Sequence, residues 1–159
     1  MIVLKPPQDL KLSAGKVKIF LAGTIDMGTS IDWQADVATK LADLDVCILN
    51  PLRAVFDVSM VQSINNPAFT EQVWWELNAQ DEADIILMNF VAGSKSPISL
   101  LELGLYASSR KMVVCCPDGF WRKGNVDIVC DRYSIPVFTT IDEALVQVKD
   151  WIQYYSPRK

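Results

Sequence analysis

The stretch ADIILMNFVAGSKSPISLLELGLYASS, residues 83–109, reads as a buried strand, a polar loop and a helix. Ala83 to Phe90 form an apolar run of strand length, bounded by an acidic residue and a small-residue loop. Ser96 and Pro97 stand in the order of a cap and a first helical residue. The helix they open carries one ionisable side chain, Glu102. Ile98, Leu100, Leu101, Leu103, Leu105 and Tyr106 surround it.

The same alternation extends in both directions. VKIFLAG, from Val17 to Gly23, reads as a first buried strand after an irregular leader that ends at Gly15. IDWQADVATKLADL then has helical spacing, with Ser30 or Asp32 near the cap. VCILN is a second strand, stopped by Pro51. A long connection, PLRAVFDVSMVQSINN, leads to a helix from Pro67 to Glu82 capped by Asn66. Beyond the opening unit come the strand KMVVCCP, a helical stretch from Phe120 to Tyr133, the short strand IPVF, and a closing helix with Thr140 as cap.

Buried strands alternating with helices imply a parallel sheet covered on both faces. The expected fold is a single α/β domain over residues 1–159, with a doubly wound five-stranded sheet in the flavodoxin-like order 2-1-3-4-5. Ligands in such sheets sit beyond the carboxyl ends of the strands, where the strand order reverses. The loops there are GTIDMGTS and VAGSKS, both polar and rich in small residues.

Composition narrows the function. A net charge of −4 argues against an interface with a nucleic-acid polymer, which needs clustered Lys and Arg. No apolar run approaches the ~20 residues of a membrane span, and the start lacks a signal-peptide core, so a cytoplasmic protein is expected. Cys47, Cys115, Cys116 and Cys130 lack metal-ligand spacing and read as reduced packing residues. The chain has no histidine, which excludes His-dependent nucleophilic triads. Acid–base chemistry must therefore rest on carboxylates, tyrosine, lysine or cysteine.

Glu102 lies about 9 Å along its helix from Ser96, just behind the expected pocket mouth. A carboxylate in apolar surroundings is a candidate catalytic group. The alternative is an internal ion pair with Arg53, Lys95 or Arg110, or a helix face more exposed than it looks. Glu76, flanked by Trp74, Trp75 and Leu77, is the second candidate, against a solvated helix carboxylate. Asp26 and Asp32 could bind substrate hydroxyls, or Asp32 could cap its helix. Asp84, at the far end of its strand, reads as structural.

The segments FLAGTID, DWQ, NPLR, QVWWELNAQDEADIILMNF and SPISLLELG, in this order, resemble the nucleoside 2-deoxyribosyltransferase-like family. The resemblance covers about Val17 to Tyr106 and implies chemistry at the N-glycosidic bond of a nucleoside or nucleoside monophosphate. It implies Glu102 as the nucleophile and Glu76 as the acid that binds the sugar and handles protons. Gly23, Thr24, Asp26, Asp32, Trp33, Gln34, Asn50, Arg53, Phe90 and Ser96 fall around the substrate. Asn125 is the match for a polar residue that reaches a neighbouring subunit's site. Ser96 stands where transferases carry an aspartate for the nucleobase, which leaves hydrolase and transferase both open. The expected partners are a small nucleoside or nucleotide and further copies of the chain. No cofactor or metal is expected. The alternative of a different class is a nucleotide-binding module of the same fold without turnover.

Overall fold

The computed structural model describes residues 1–25, 32–53 and 60–155. Its strands are β1 (Ile2–Leu4), β2 (Val17–Gly23), β3 (Val46–Leu49), β4 (Ile85–Asn89), β5 (Met112–Cys115) and β6 (Val137–Phe138). Its helices are α1 (Trp33–Lys40), α2 (Pro67–Glu82), α3 (Pro97–Tyr106), α4 (Lys123–Tyr133) and α5 (Ile141–Tyr155).

The strands form one sheet in the order β1-β3-β2-β4-β5-β6, with every neighbouring pair parallel. From β3 to β6 this is the expected order 2-1-3-4-5. The sheet has six strands rather than five, because part of the presumed irregular leader pairs at the edge. Ile2, Val3 and Leu4 lie opposite Cys47, Ile48 and Leu49. Three residues before Lys-Pro-Pro are too few to display a period, so the pairing is decided by the neighbouring strand.

Alternate residues of the central strands feed two cores, as the two-residue repeat of a strand requires. Ile19, Leu21, Ile48, Leu87 and Val113 pack with Trp33 and Val37 of α1 and Ala144, Leu145 and Val148 of α5. Phe20, Ala22, Ile86, Met88 and Val114 pack with α2, α3 and α4 through Trp75, Ala79, Leu103, Val126 and Cys130. All four cysteines are free and buried, consistent with packing roles. No described helix is long and apolar enough to cross a membrane.

Several local signals produce the expected caps. Asn66 accepts from the backbone N–H groups of Ala68 and Phe69, with Pro67 in the first helical position. Thr140 and Glu143 bond reciprocally at the start of α5, a capping box. Asp32 accepts from the Ala35 N–H at 2.9 Å and caps α1. Helix α1 stops at Lys40, short of the expected end near Leu44. Asp43 and Asp45 follow, and acidic groups are unfavourable at a helix C-terminus. Asp45 instead pairs with Lys16. Ser96 was expected to cap α3 through its side chain, and it does not. It sits at the cap in a left-handed conformation with φ 43°, and its hydroxyl turns elsewhere.

Candidate active site

The ends of β2 and β4 are joined by a knot of small polar residues. Gly23 passes against the Asn89 backbone, and the Thr24 N–H donates to the Asn89 carbonyl at 2.9 Å. The Thr24 hydroxyl accepts from the Val91 N–H at 3.1 Å. It also lies 3.1 Å from Ser94 Oγ and 2.6 Å from Ser96 Oγ. Trp33 donates its indole N–H to the Thr24 carbonyl at 3.0 Å. One buried residue thus ties together the loop after β4, the start of α3 and the start of α1. The hydroxyl of Ser96 serves this knot instead of its own helix.

Behind the knot, α2 and α3 lie on the same face of the sheet and bring two carboxyl groups into electrostatic contact. Glu102 is only 9% exposed, and Gln80 Nε2 donates to its Oε1 at 2.7 Å. Burial and the charge of Glu76 push the Glu102 pKa up to about 7, with the Gln80 bond opposing them. Glu76 is half-buried and accepts from Gln72 Nε2 at 2.6 Å. Its pKa is also raised, by burial, against the Gln72 bond and the charge of Arg53. Among the described residues no cation lies within ion-pairing distance of Glu102. The ion pair with Arg53, Lys95 or Arg110 is therefore not formed. Burial raises both carboxyl groups and the charge of Glu76 opposes ionisation of Glu102, while only Glu76 feels the opposing charge of Arg53.

Arg53 follows β3 and hydrogen-bonds through Nε to Gln72 Oε1, while its Nη2 meets Glu71 at 3.1 Å. Gln72 also donates to the Pro51 carbonyl at 3.0 Å. Arg53 thus reaches Glu76 through Gln72. Asn50 is buried and accepts from the Leu52 N–H, which shapes the turn after β3. Gln34 is buried in the first turn of α1, and its Nε2 has no hydrogen-bond partner among the described residues. An orphaned buried donor is uncommon and marks a place where a ligand group can be received. Asp32 beside it is exposed. Phe90 is 1% exposed with its ring 4.6 Å from that of Phe120, so it packs in the core rather than lining an open mouth. Asn125 is exposed in the first turn of α4. Asp26 lies outside the described residues. Asp84 accepts from the Lys18 N–H at 2.8 Å and is structural, as its place in the sequence suggested.

Sequence reasoning missed Gln72 and Gln80. They flank Glu76 at four residues on either side, the spacing that puts three side chains on one helix face, and that signal was readable. It also missed Trp121, whose indole donates to the Lys95 carbonyl at 3.0 Å and whose ring carries the Arg122 guanidinium at 4.2 Å. This braces the loop before α3 from the segment before α4. Two cavities, of about 390 and 550 Å³, lie by the C-terminal half of α2 and at the amino ends of β5 and β6. Neither contains Glu76 or Glu102.

A doubly wound parallel sheet with two carboxyl groups behind its switch point places the protein among the small α/β proteins with a flavodoxin-like strand order. The sequence matches the family described as nucleoside 2-deoxyribosyltransferase like over residues 16–120, more than half of the chain, and the protein belongs to that family. No curated protein matches it. Among solved structures it is similar to a conserved protein from Enterococcus faecalis V583, with a TM-score of 0.61 and 13% identity. The match covers 85% of this chain and 98% of that one. At that identity the likeness supports the fold alone.

Proposed function

We propose that the protein cleaves or exchanges the N-glycosidic bond of a nucleoside or nucleoside monophosphate through a covalent glycosyl–Glu102 intermediate. The observation that carries this reading is a buried Glu102 with no counter-cation and a second raised carboxyl group beside it. An oxygen of Glu102 bonds to the anomeric carbon as the carbon–nitrogen bond breaks. The bonding pair leaves with the base, which takes the proton of the Glu76 carboxyl group. Water deprotonated by Glu76 then releases the sugar in a hydrolase; a second base does so in a transferase. Gln34 offers its free amide donor, and Asp32 its exposed carboxylate oxygen, to the sugar or base.

Incubation with a panel of nucleosides and monophosphates, followed by chromatography, tests the proposal. Release of free base is expected. Saturable binding without release would favour the alternative, a nucleotide-binding module.

Arg53 serves a phosphate in this reading. Its guanidinium is held at the carboxyl edge by Gln72 and a partly exposed Glu71, a pair of little net strength that a phosphate can replace. Arg53→Ala should weaken kcat/KM for a monophosphate by roughly tenfold to a hundredfold while sparing the nucleoside. Equal losses on both substrates would assign Arg53 to Gln72 and Glu76 alone.

The same reading includes assembly. Of the large apolar residues outside the strands, Trp33 and Trp75 are buried, Phe69 is half-buried, and Phe56 lies outside the described residues. Trp74 and Trp121 are exposed. Ile98, Leu101 and Leu105 form an exposed stripe at helical spacing on α3, the helix that carries Glu102. A second copy of the chain is the proposed cover for that stripe, with Asn125 reaching the neighbouring site. Sedimentation at micromolar protein should give a dimer or larger species, and Leu101→Glu should shift it to monomer. A wild-type monomer sinks the idea.

A further inference from the structure

We propose that Gln80 is the positioning residue for Glu102: its amide donates to the carboxylate when Glu102 is charged and turns over to accept its proton when it is neutral. The catalytic weight of this pairing rests on the function proposed above; the pairing itself rests on the contacts of α2 with α3.

Gln80 is 1% exposed, so its amide cannot exchange partners with water. Its Nε2 donates to Glu102 Oε1 at 2.7 Å, whereas its own Oε1 is buried without a partner. That arrangement suits a charged carboxylate, which only accepts, and leaves the amide oxygen unused. A neutral carboxyl group carries an O–H that needs an acceptor. A half-turn of the amide about its last side-chain bond presents Oε1 to that proton and keeps a hydrogen bond in place. Which amide atom faces Glu102 is thus set by the proton. An amide is suited to this because it offers both a donor and an acceptor on one flat group. A lysine would fix the charged form, and a leucine would serve neither.

The root of the side chain is pinned. Lys111 Nζ donates to the Gln80 carbonyl at 2.6 Å and to the Asp81 carbonyl at 3.0 Å, closing the last turn of α2. The Tyr106 hydroxyl of α3 donates to Asp81 Oδ1 at 2.8 Å and reaches the Leu77 carbonyl at 3.3 Å. Tyr106 therefore stitches α3 to α2 one turn beyond Glu102, and Lys111 holds the backbone of Gln80 itself, which leaves the amide plane free to turn. The titratable group that acts on Glu102 is Glu76 of α2, across the helix pair; Glu102 in turn acts on Tyr106 of its own helix, whose phenol is held by Asp81 and lies beneath Lys111. Glu76 opposes ionisation of Glu102 and Gln80 favours it. Gln80 thereby keeps the nucleophile available near neutral pH in a site that would otherwise hold it protonated.

The test uses NMR on the intact protein, with the Glu102 carboxyl ¹³C signal assigned by its loss in Glu102→Gln. In the wild type, the Gln80 side-chain ¹⁵N amide signal should change with pH at the Glu102 midpoint. An amide indifferent to that titration overturns the proposal without recourse to any variant. Gln80→Met keeps length and removes the amide. Its Glu102 midpoint should move to higher pH, and the acid limb of the base-release profile should move with it. Its kcat should fall roughly tenfold or more with KM little changed, since the bond lost is one to a charged group. Gln80→Glu, which adds a carboxyl group, should raise the midpoint too. An unmoved midpoint in either folded variant also overturns the proposal. Wild-type protein that shows the linked titration but releases no base would instead sink the proposed function and leave the pairing intact.

Discussion

Glu102→Gln is expected to lower base release by about a thousandfold or more while leaving ligand binding largely in place. The change keeps the shape of the side chain and removes the anionic oxygen that the proposed mechanism needs. Near-wild-type turnover would remove Glu102 from the chemistry. The same substitution should alter stability in the opposite direction. The unfolded chain gives up the Glu102 proton near 4.5, whereas the folded chain holds it to about 7. Between those values the folded state binds more protons, so this group's contribution to stability falls as pH rises through the window and is lowest above it. The full cost of ionising Glu102 in the folded protein is up to about 3 kcal/mol. Glutamine carries no such cost. The variant should therefore melt higher than the wild type at pH 8, with the difference shrinking toward pH 5. Parallel melting curves at both values would contradict a buried, costly carboxylate at this position.

The strand–helix alternation was legible because each central strand is buried on both faces and writes itself as an unbroken apolar run. Ile85 to Asn89 is the plainest case. The edge strand was not legible, since Ile2 to Leu4 acquire their pairing from Cys47 to Leu49 and not from any pattern of their own. The lone charge of Glu102 stood out against its helix, and its burial fits the apolar neighbourhood of the sequence. The place of Gln80 on the Glu76 face of α2 was readable from spacing, but its pairing with Glu102, 22 residues away along the chain, was not. Phe90 shows the same limit: an aromatic at the carboxyl end of a strand can face a pocket or the core, and its packing on Phe120 is a tertiary contact that the sequence does not display. Ser96 was read as a cap from its place before Pro97. The tertiary claim of Thr24 on its hydroxyl was invisible in one dimension.

Gly23→Ala is expected to cost about 4 kcal/mol or more, or to prevent folding altogether. A methyl group at Gly23 would stand 2.2 Å from the Asn89 carbonyl oxygen, 2.7 Å from its nitrogen and 2.9 Å from its carbonyl carbon. All three are backbone atoms of the paired strand, so no side chain can swing away to make room. The residue also has φ +136°, a conformation that side chains of L-residues rarely adopt. Relief requires β2 and β4 to part at their carboxyl ends. That separation breaks the Thr24 N–H bond to Asn89 and the Val91 N–H bond to the Thr24 hydroxyl. Ser94, Ser96 and Trp33, which all lean on Thr24, then lose their anchor. The control is Gly104→Ala on α3, where nothing lies within 4 Å of the new methyl group. There an alanine should stabilise the helix by about 0.5–1 kcal/mol. Urea unfolding of the two variants beside the wild type measures both effects. If Gly23→Ala unfolded at the wild-type midpoint, β2 and β4 would not approach as closely as described here. If it also lost activity, Gly23 would belong to the ligand and not to the strand pair.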